Sequence, residues 1–259
     1  MPPASFRFHL TMNTLALGYV IPAIRAYSGL APVRQCSCRA YTIQNRRLEQ
    51  TADGSSTIYL PDLDEHYHSV KGALTESTHI FINCGLRHCR KSDVTVFEVG
   101  FGTGLNAALT ALSTDNRRLI DYHSVERYPL SADDAAAYSR TVEAPVDSMI
   151  RQLNAAAWDA PTAVTPQFTI HKILGDVATT PLPEGIDVVY FDAFAPEKQP
   201  EMWSESIFIR IYDAMADGGI LTTYCAKGAV RRLLQSVGFT VERLPGPPGG
   251  KREILRATK

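Results

Sequence analysis

Four acids stand at or near the ends of apolar runs, and each has a chemical use there. Glu98 lies two residues before Gly100 in the string VTVFEVGFGTGLN, Glu126 closes LIDYHSVE, Asp176 follows residues 167–174, and Asp192 follows IDVVYF. In the first string Gly100, Gly102 and Gly104 follow directly on a β-branched and aromatic run and precede an apolar helical pattern from Leu105. A strand that breaks into glycines before a helix lets a ligand approach bare backbone at the helix N-terminus. A side chain would block that approach, and glycine alone adopts left-handed dihedrals without strain. The spacing is Gly-x-Gly-x-Gly, with Leu105 where a dinucleotide fold carries its last glycine. A carboxylate beside the loop repels pyrophosphate but suits a cation. S-adenosylmethionine (SAM) carries an ammonium and a sulfonium and no phosphate, so the loop reads as a SAM site. A nucleotide site and an idle strand–helix turn are the competing readings.

The other acids fit the same ligand. Glu126, at the tip of the next strand, is placed to accept from ribose hydroxyls. Asp176 can receive an adenine amino group, because an ionised carboxylate only accepts. Solvated loop charge is the ordinary fate of a lone acid, but these share the carboxyl ends of successive strands. Asp192 begins Asp-Ala-Phe-Ala-Pro, and an acid with an aromatic there fits methylation of an amine. Asp192 can accept a hydrogen bond from the attacking nitrogen, and Phe194 offers a face to a planar base or to the sulfonium. Such a transfer is an in-line displacement in which alignment alone can supply roughly 7–11 kcal/mol. The amine must be neutral to attack; a dry pocket lowers its pKa and a nearby carboxylate raises it. Asp192 is therefore the candidate proton acceptor and orienter.

These residues need a scaffold of alternating strands and helices. Strands are expected at residues 94–99, 119–125, 167–174, 186–191, 220–225, 239–244 and 253–258. Helices are expected from 105, over 131–140 and 142–158, over 201–216 with Trp203, Ile207, Ile211 and Met215 as a core stripe, and over 227–237. The pattern predicts an α/β fold: a doubly wound, seven-stranded, mostly parallel sheet with one antiparallel strand near the end. Upstream, Asp53-Gly54 and residues 57–60 predict a hairpin, and residues 73–84 a helix. Tyr67, His68 and Ser69 form a polar–aromatic cluster before that helix, which is either a surface turn or part of a site. The expected organisation is an extension over 1–44, an N-terminal cap over 45–92 and the main domain over 93–259.

Composition is that of an ordinary globular chain of 259 residues, 45% hydrophobic and 20% charged, with a net charge of −1. The first 48 residues hold six arginines and no Asp, Glu or Lys. The expectation is a disordered extension, with an organelle transit peptide as the alternative. Cytoplasmic location follows from the first reading and an organelle matrix from the second. The five cysteines lack Cys-x-x-Cys spacing, so reduced thiols are expected rather than a metal site. Charge is unevenly spread: Lys227, Arg231, Arg232, Arg243, Lys251, Arg252, Arg256 and Lys259 face only Glu242 and Glu253 from 227 to 259, a net of +6. With Lys198, the residues Lys227, Arg231, Arg232, Lys251 and Arg252 are candidates for holding phosphates. The bland alternative is solvated surface charge, partly paired with those two glutamates.

The strings FEVGFGTGLN, VERYPL, YFDAFAPEKQPEMWSESIF, LTTYCAKGAVRRLLQSVGF and PGPPGGKREILRA resemble the MnmC-type tRNA (5-aminomethyl-2-thiouridine) methyltransferases, as does DGSSTIYLPDLDEHYHSVKGALTESTHIFI upstream. The resemblance runs from about residue 45 to 259. It implies a class I, Rossmann-like SAM methyltransferase that N-methylates the 5-aminomethyl group of the wobble uridine, with the tRNA anticodon loop as partner. By matching motif it implies that Glu98, Gly100, Phe101, Gly102 and Gly104 line SAM, and that Glu126 holds the ribose and Asp176 the adenine. It likewise places Asp192 and Phe194 at the transfer pocket, and Tyr67 and Ser69 near the methionine moiety. Bifunctional members carry an FAD-dependent oxidase half; the absence of a second glycine fingerprint here reads as the stand-alone form. A small-amine methyltransferase or an aminopropyl transferase on the same fold, and a non-catalytic RNA-binding module, are the rival readings.

Overall fold

A computed structural model describes residues 46–115 and 117–259; the expectations for 1–44 lie outside the described residues. The apolar runs form the centre of one twisted sheet. Strands β4 (Asp93–Val99), β5 (Leu119–Glu126), β7 (Phe168–Leu174), β8 (Ile186–Phe191) and β9 (Met215–Thr223) pair in parallel. All six residues of β8 are buried, as a strand covered on both faces requires. At one edge β11 (Glu253–Thr258) pairs antiparallel with β9, and β10 (Thr240–Pro245) pairs antiparallel with β11.

The sheet has eight strands, not the expected seven, in the order β10-β11-β9-β8-β4-β5-β7-β6. The additional strand is β6 (Pro161–Thr165), antiparallel to β7 at the opposite edge. It is short and opens on a proline, which is tolerated only where no ladder partner needs that N–H. Those same traits hide it from a pattern search.

Helices cover both faces. On one lie α2 (Leu105–Ser113) and α4 (Val146–Ala155), with α3 (Ala132–Ser139) alongside. On the other lie α5 (Glu205–Ala214) and α6 (Gly228–Val237). The helix expected over 201–216 is interrupted: Pro200–Trp203 is a 3-10 turn, and Met215 already begins β9. The stripe Trp203, Ile207, Ile211 and Met215 is nonetheless buried in one core.

The N-terminal segment does not form a separate lobe. Its hairpin, β1 (Arg47–Gln50) with β2 (Ser56–Leu60), is joined by the short β3 (Glu65–His66). The helix expected over 73–84 is α1 (Ala73–Ser77), which runs into a π-helix over Thr78–Leu86. Ile58, Leu60, Ile80 and Phe81 share a core with Val94 and Val96 of β4. This shared core brings Tyr67 and His68 over the carboxyl ends of the central strands.

Candidate active site

The glycine turn is strained for anything but glycine. Gly100, Gly102 and Gly104 have φ of 91°, 52° and 83°, values that L side chains adopt only at a cost. A Cβ on Gly102 would stand 3.1 Å from the ring of Tyr67, and one on Gly100 would stand 3.3 Å from the carbonyl oxygen of Asp192. The Gly102 amide donates to Glu126 Oε2 at 3.1 Å, and the Tyr128 amide donates to Glu126 Oε1 at 2.7 Å. The acid at the tip of β5 is thus tied to the backbone of the turn beside it.

A cavity of about 370 Å³ opens there, within the usual size of a small-molecule site. Gly100, Phe101 and Gly102 line it after β4, Glu126 at the end of β5, Asp176 after β7, and Asp192 with Phe194 after β8. Tyr67 closes it from the N-terminal segment, its ring edge-on to Phe194 with centroids 5.4 Å apart. Glu201 brings a fourth carboxylate to the wall beside Glu126, Asp176 and Asp192. The lining cation is Arg127, which already pairs with Asp176 at 2.6 Å. The wall therefore favours a cationic ligand without phosphates, as SAM is.

Three expected cofactor residues are not on this wall. Glu98 is fully buried beneath the turn, where Ser124 Oγ donates to its Oε2 at 2.7 Å. Residues alternate across a strand, so the acid two before Gly100 points into the layer under α2. Gly104 is the N-cap of α2, and a Cβ there would meet Phe101 at 2.9 Å rather than a ligand. Ser69 turns back on its own chain and accepts from the Lys71 amide at 3.2 Å. Its neighbour His68 lines the cavity instead and bonds Thr103 Oγ1 through Nε2 at 2.9 Å.

Asn106 was not anticipated. It is buried in the first turn of α2, lines the cavity, and donates from Nδ2 to Asp192 Oδ2 at 2.8 Å. A lone polar residue among Leu105, Ala107 and Ala108 is the signal that could have found it. The lining residues Glu201, Met202, Ser204 and Ile207 fall within the helix expected over 201–216, whose pattern points only to core, and Gln199 lies just before it.

Burial controls the ionisation of these groups. It pushes the Asp192 carboxyl up to about 7 against the Asn106 hydrogen bond, with Glu76 raising it further and Lys251 opposing. It pushes Glu98 up to about 8 and draws His68 down to about 4. Asp192 is thus poised near neutrality, where a general base works best, and His68 is uncharged.

The basic residues are more paired than their count suggests. Lys198 meets Asp64 at 3.2 Å, Lys227 meets Glu197, and Lys251 meets Glu76 at 2.6 Å. Arg243 pairs with Glu253 at 3.2 Å and Arg256 with Glu242 at 3.0 Å. Lys259 donates to the carbonyl of Met215 at 2.8 Å. Arg231, Arg232 and Arg252 make no ion pair among the described residues.

Residues 145–259 match the profile of a family described as S-adenosyl-L-methionine-dependent methyltransferase. The match covers 115 of the chain's 259 residues. SAM is the cofactor that this match implies, and the acidic wall and bare glycine turn fit that cation. The chain is 34% identical, over 77% of its length, to the tRNA 5-methylaminomethyl-2-thiouridine biosynthesis bifunctional protein MnmC of Magnetococcus marinus, of which it covers 32%. It is 32% identical over 81% of its length to the protein of the same name from Cupriavidus metallidurans, covering 33% of it. The chain thus spans about a third of the curated relatives it matches. Among solved structures, MNMC2 from Aquifex aeolicus superposes with a TM-score of 0.69 at 22% identity, covering 82% of this chain and 69% of that one. Spermidine synthase from Thermotoga maritima superposes with 0.57 at 13% identity, over 84% and 70% of the two chains. Both likenesses speak for the fold. No helix among the described residues is long and apolar enough to cross a membrane.

Proposed function

We propose that this chain is a SAM-dependent methyltransferase that N-methylates the 5-aminomethyl group of (2-thio)uridine at the wobble position of tRNA. The observation that carries the chemistry is the half-buried Asp192 carboxylate, opening on the cavity that also holds the glycine turn. The names of its relatives supply the substrate class.

Gly100 and Gly102 would hold the methionine part of SAM, Glu126 its ribose and Asp176 its adenine, while Tyr67 and Phe194 exclude water. Bound SAM supplies an electrophilic methyl carbon. An aminomethyl group arriving as ammonium gives its proton to Asp192, whose elevated pKa makes it a competent acceptor near neutral pH. Asn106 holds the carboxylate toward the cavity, and Phe194 offers its ring to the splayed base. The nitrogen so freed would be held for in-line attack on the methyl carbon, the C–N bond forming as the C–S bond breaks and the sulfonium leaving as a neutral thioether. Arg231, Arg232 and Arg252 are the basic residues open to the phosphates of the anticodon stem-loop; Lys198, Lys227 and Lys251 must first exchange a carboxylate for a phosphate. We place the reaction in the cytoplasm or an organelle matrix, where tRNA and SAM coexist.

A rival substrate is a small cationic amine. The acidic cavity would take one, and Lys198, Lys227 and Lys251, which could otherwise serve an RNA, are already paired with carboxylates. The test is to incubate the protein with labelled SAM and tRNA from a strain lacking this methylation, alongside polyamines. Label recovered in 5-methylaminomethyl-uridine nucleosides supports the proposal. Label in the polyamines, with none in the tRNA, overturns it.

A further inference from the structure

Lys172 occupies an inward position of β7, where the period of the strand calls for an apolar side chain. Phe168 and Ile170, on the same face, pack with Ile150 and Leu153 of α4. Lys172 is only 1% exposed, and a lysine is almost never buried so far without a counter-charge. No ion pair among the described residues includes it. The other residues cannot supply a carboxylate side chain either, because residues 1–45 and 116 contain no Asp or Glu. An ammonium has three hydrogens to give. Among the described residues this one makes a single hydrogen bond, to the Asn154 carbonyl at 2.9 Å. It also lies over two rings, 4.6 Å from the centroid of Trp158 and 5.2 Å from that of Phe101. A backbone bridge between Trp158 and Lys172 keeps the indole beside the amine. Ring faces attract a cation but do not neutralise it, and burial draws the Lys172 amine down to about 8.

A second cavity, of about 310 Å³, adjoins this amine. Lys172 and Trp158 line it with Leu130, and Ala135 and Ala136 of α3 add further apolar wall. No acid among the described residues lines it, and its other cation, Arg151, already pairs with Asp147 at 2.7 Å. Phe101 is the one residue that borders both this cavity and the one at the glycine turn. We propose that the second cavity binds a small organic carboxylate, whose charge meets the Lys172 hydrogens not given to Asn154 and whose apolar body lies against Trp158 and the alanines of α3. The carboxylate supplies the counter-charge that the chain withholds from Lys172. The apolar wall selects against a bare, fully hydrated anion such as phosphate, which has no surface to bury there. This site is separate from methyl transfer and stands whatever the methylated substrate is.

The chain has two tryptophans, Trp158 and Trp203. Trp203 is buried in the other core, with its indole N–H on the Phe194 carbonyl, so the two indole N–H resonances report on different places. In a titration of the whole chain with sodium benzoate, the Trp158 resonance should shift and saturate with a Kd of about 1 mM or below, while that of Trp203 stays. Benzamide, which has the same shape without the charge, should bind at least about tenfold more weakly. Lys172→Met keeps an apolar stem and should lose benzoate affinity by a similar factor. Inorganic phosphate should leave the Trp158 resonance in place, and excess SAM should not displace benzoate. Should K172M fail to fold, the comparison of benzoate with benzamide on the unaltered chain still decides. A Trp158 resonance unmoved by benzoate, or equal affinity for benzamide, overturns the proposal. So does benzoate binding unchanged in K172M. Phosphate acting as benzoate does would make the site one for bare anions, and displacement by SAM would put the benzoate at the glycine turn; either result also overturns it.

Discussion

Charge is handled in opposite ways at the mouth of the central strands and on the surface of the last third of the chain. In the cavity, Asp192 makes no salt bridge among the described residues; it has an amide donor, and burial drives its carboxyl upward. On the outer surface, Glu197 is drawn below its usual range by the hydrogen bond from Lys227, and Asp64 by Tyr59 and then Lys198. Exposed charges find partners, and these cost little to make or break. A buried carboxylate held short of a counter-charge is expensive, and a cationic ligand is what would relieve it.

The contrast can be broken most directly at Asp192. D192A should lower single-turnover methylation by about 10²- to 10⁴-fold, the range of a lost general base, while calorimetry still detects SAM. Loss of SAM binding instead would make Asp192 a cofactor anchor only. G102V should weaken SAM binding by about 100-fold, since its side chain must enter space 3.1 Å from Tyr67; unchanged affinity would move the ligand off the glycine turn. Stability should also report the buried acids. Asp192 rises from 3.8 to about 7 and Glu98 from 4.5 to about 8, so the folded state binds more protons in that window. The ligand-free protein should therefore lose stability to urea as pH rises through it, and D192N should flatten the slope; a slope of opposite sign would place counter-charges in the cavity. On the surface, R231A with R232A should raise the KM for tRNA about tenfold and make its salt dependence shallower by about one to two in slope. R243A, breaking an exposed pair with Glu253, should change unfolding free energy by less than about 1 kcal/mol.

How far the sequence could be read differed along the same line. IDVVYF is a strand wherever it lies, because six buried residues in a row leave no other reading, and β8 spans it without a residue's error. Period and burial also marked where Glu126, Asp176 and Asp192 end their strands. The pairing of the basic residues was illegible because it is not local: Lys251 meets Glu76 across 175 positions and Lys198 meets Asp64 across 134. Counting +6 over a segment therefore overstated what the surface presents. Side-chain direction was the other blind spot. Glu98 and Ser69 stand one or two residues from cavity residues yet point elsewhere, while His68 and Asn106 point in. A cluster or a motif locates a loop; which member faces the ligand depends on backbone geometry that composition does not encode.

The two main-chain amides that grip Glu126 have a thermodynamic consequence. Freezing a glutamate rotamer costs up to about 1.5–2 kcal/mol, and here that loss of freedom belongs to folding, because Gly102 and Tyr128 hold the carboxylate at the cavity wall. A ribose meeting it would find an acceptor already still, so the hydroxyl contacts would carry less entropic penalty than their number implies.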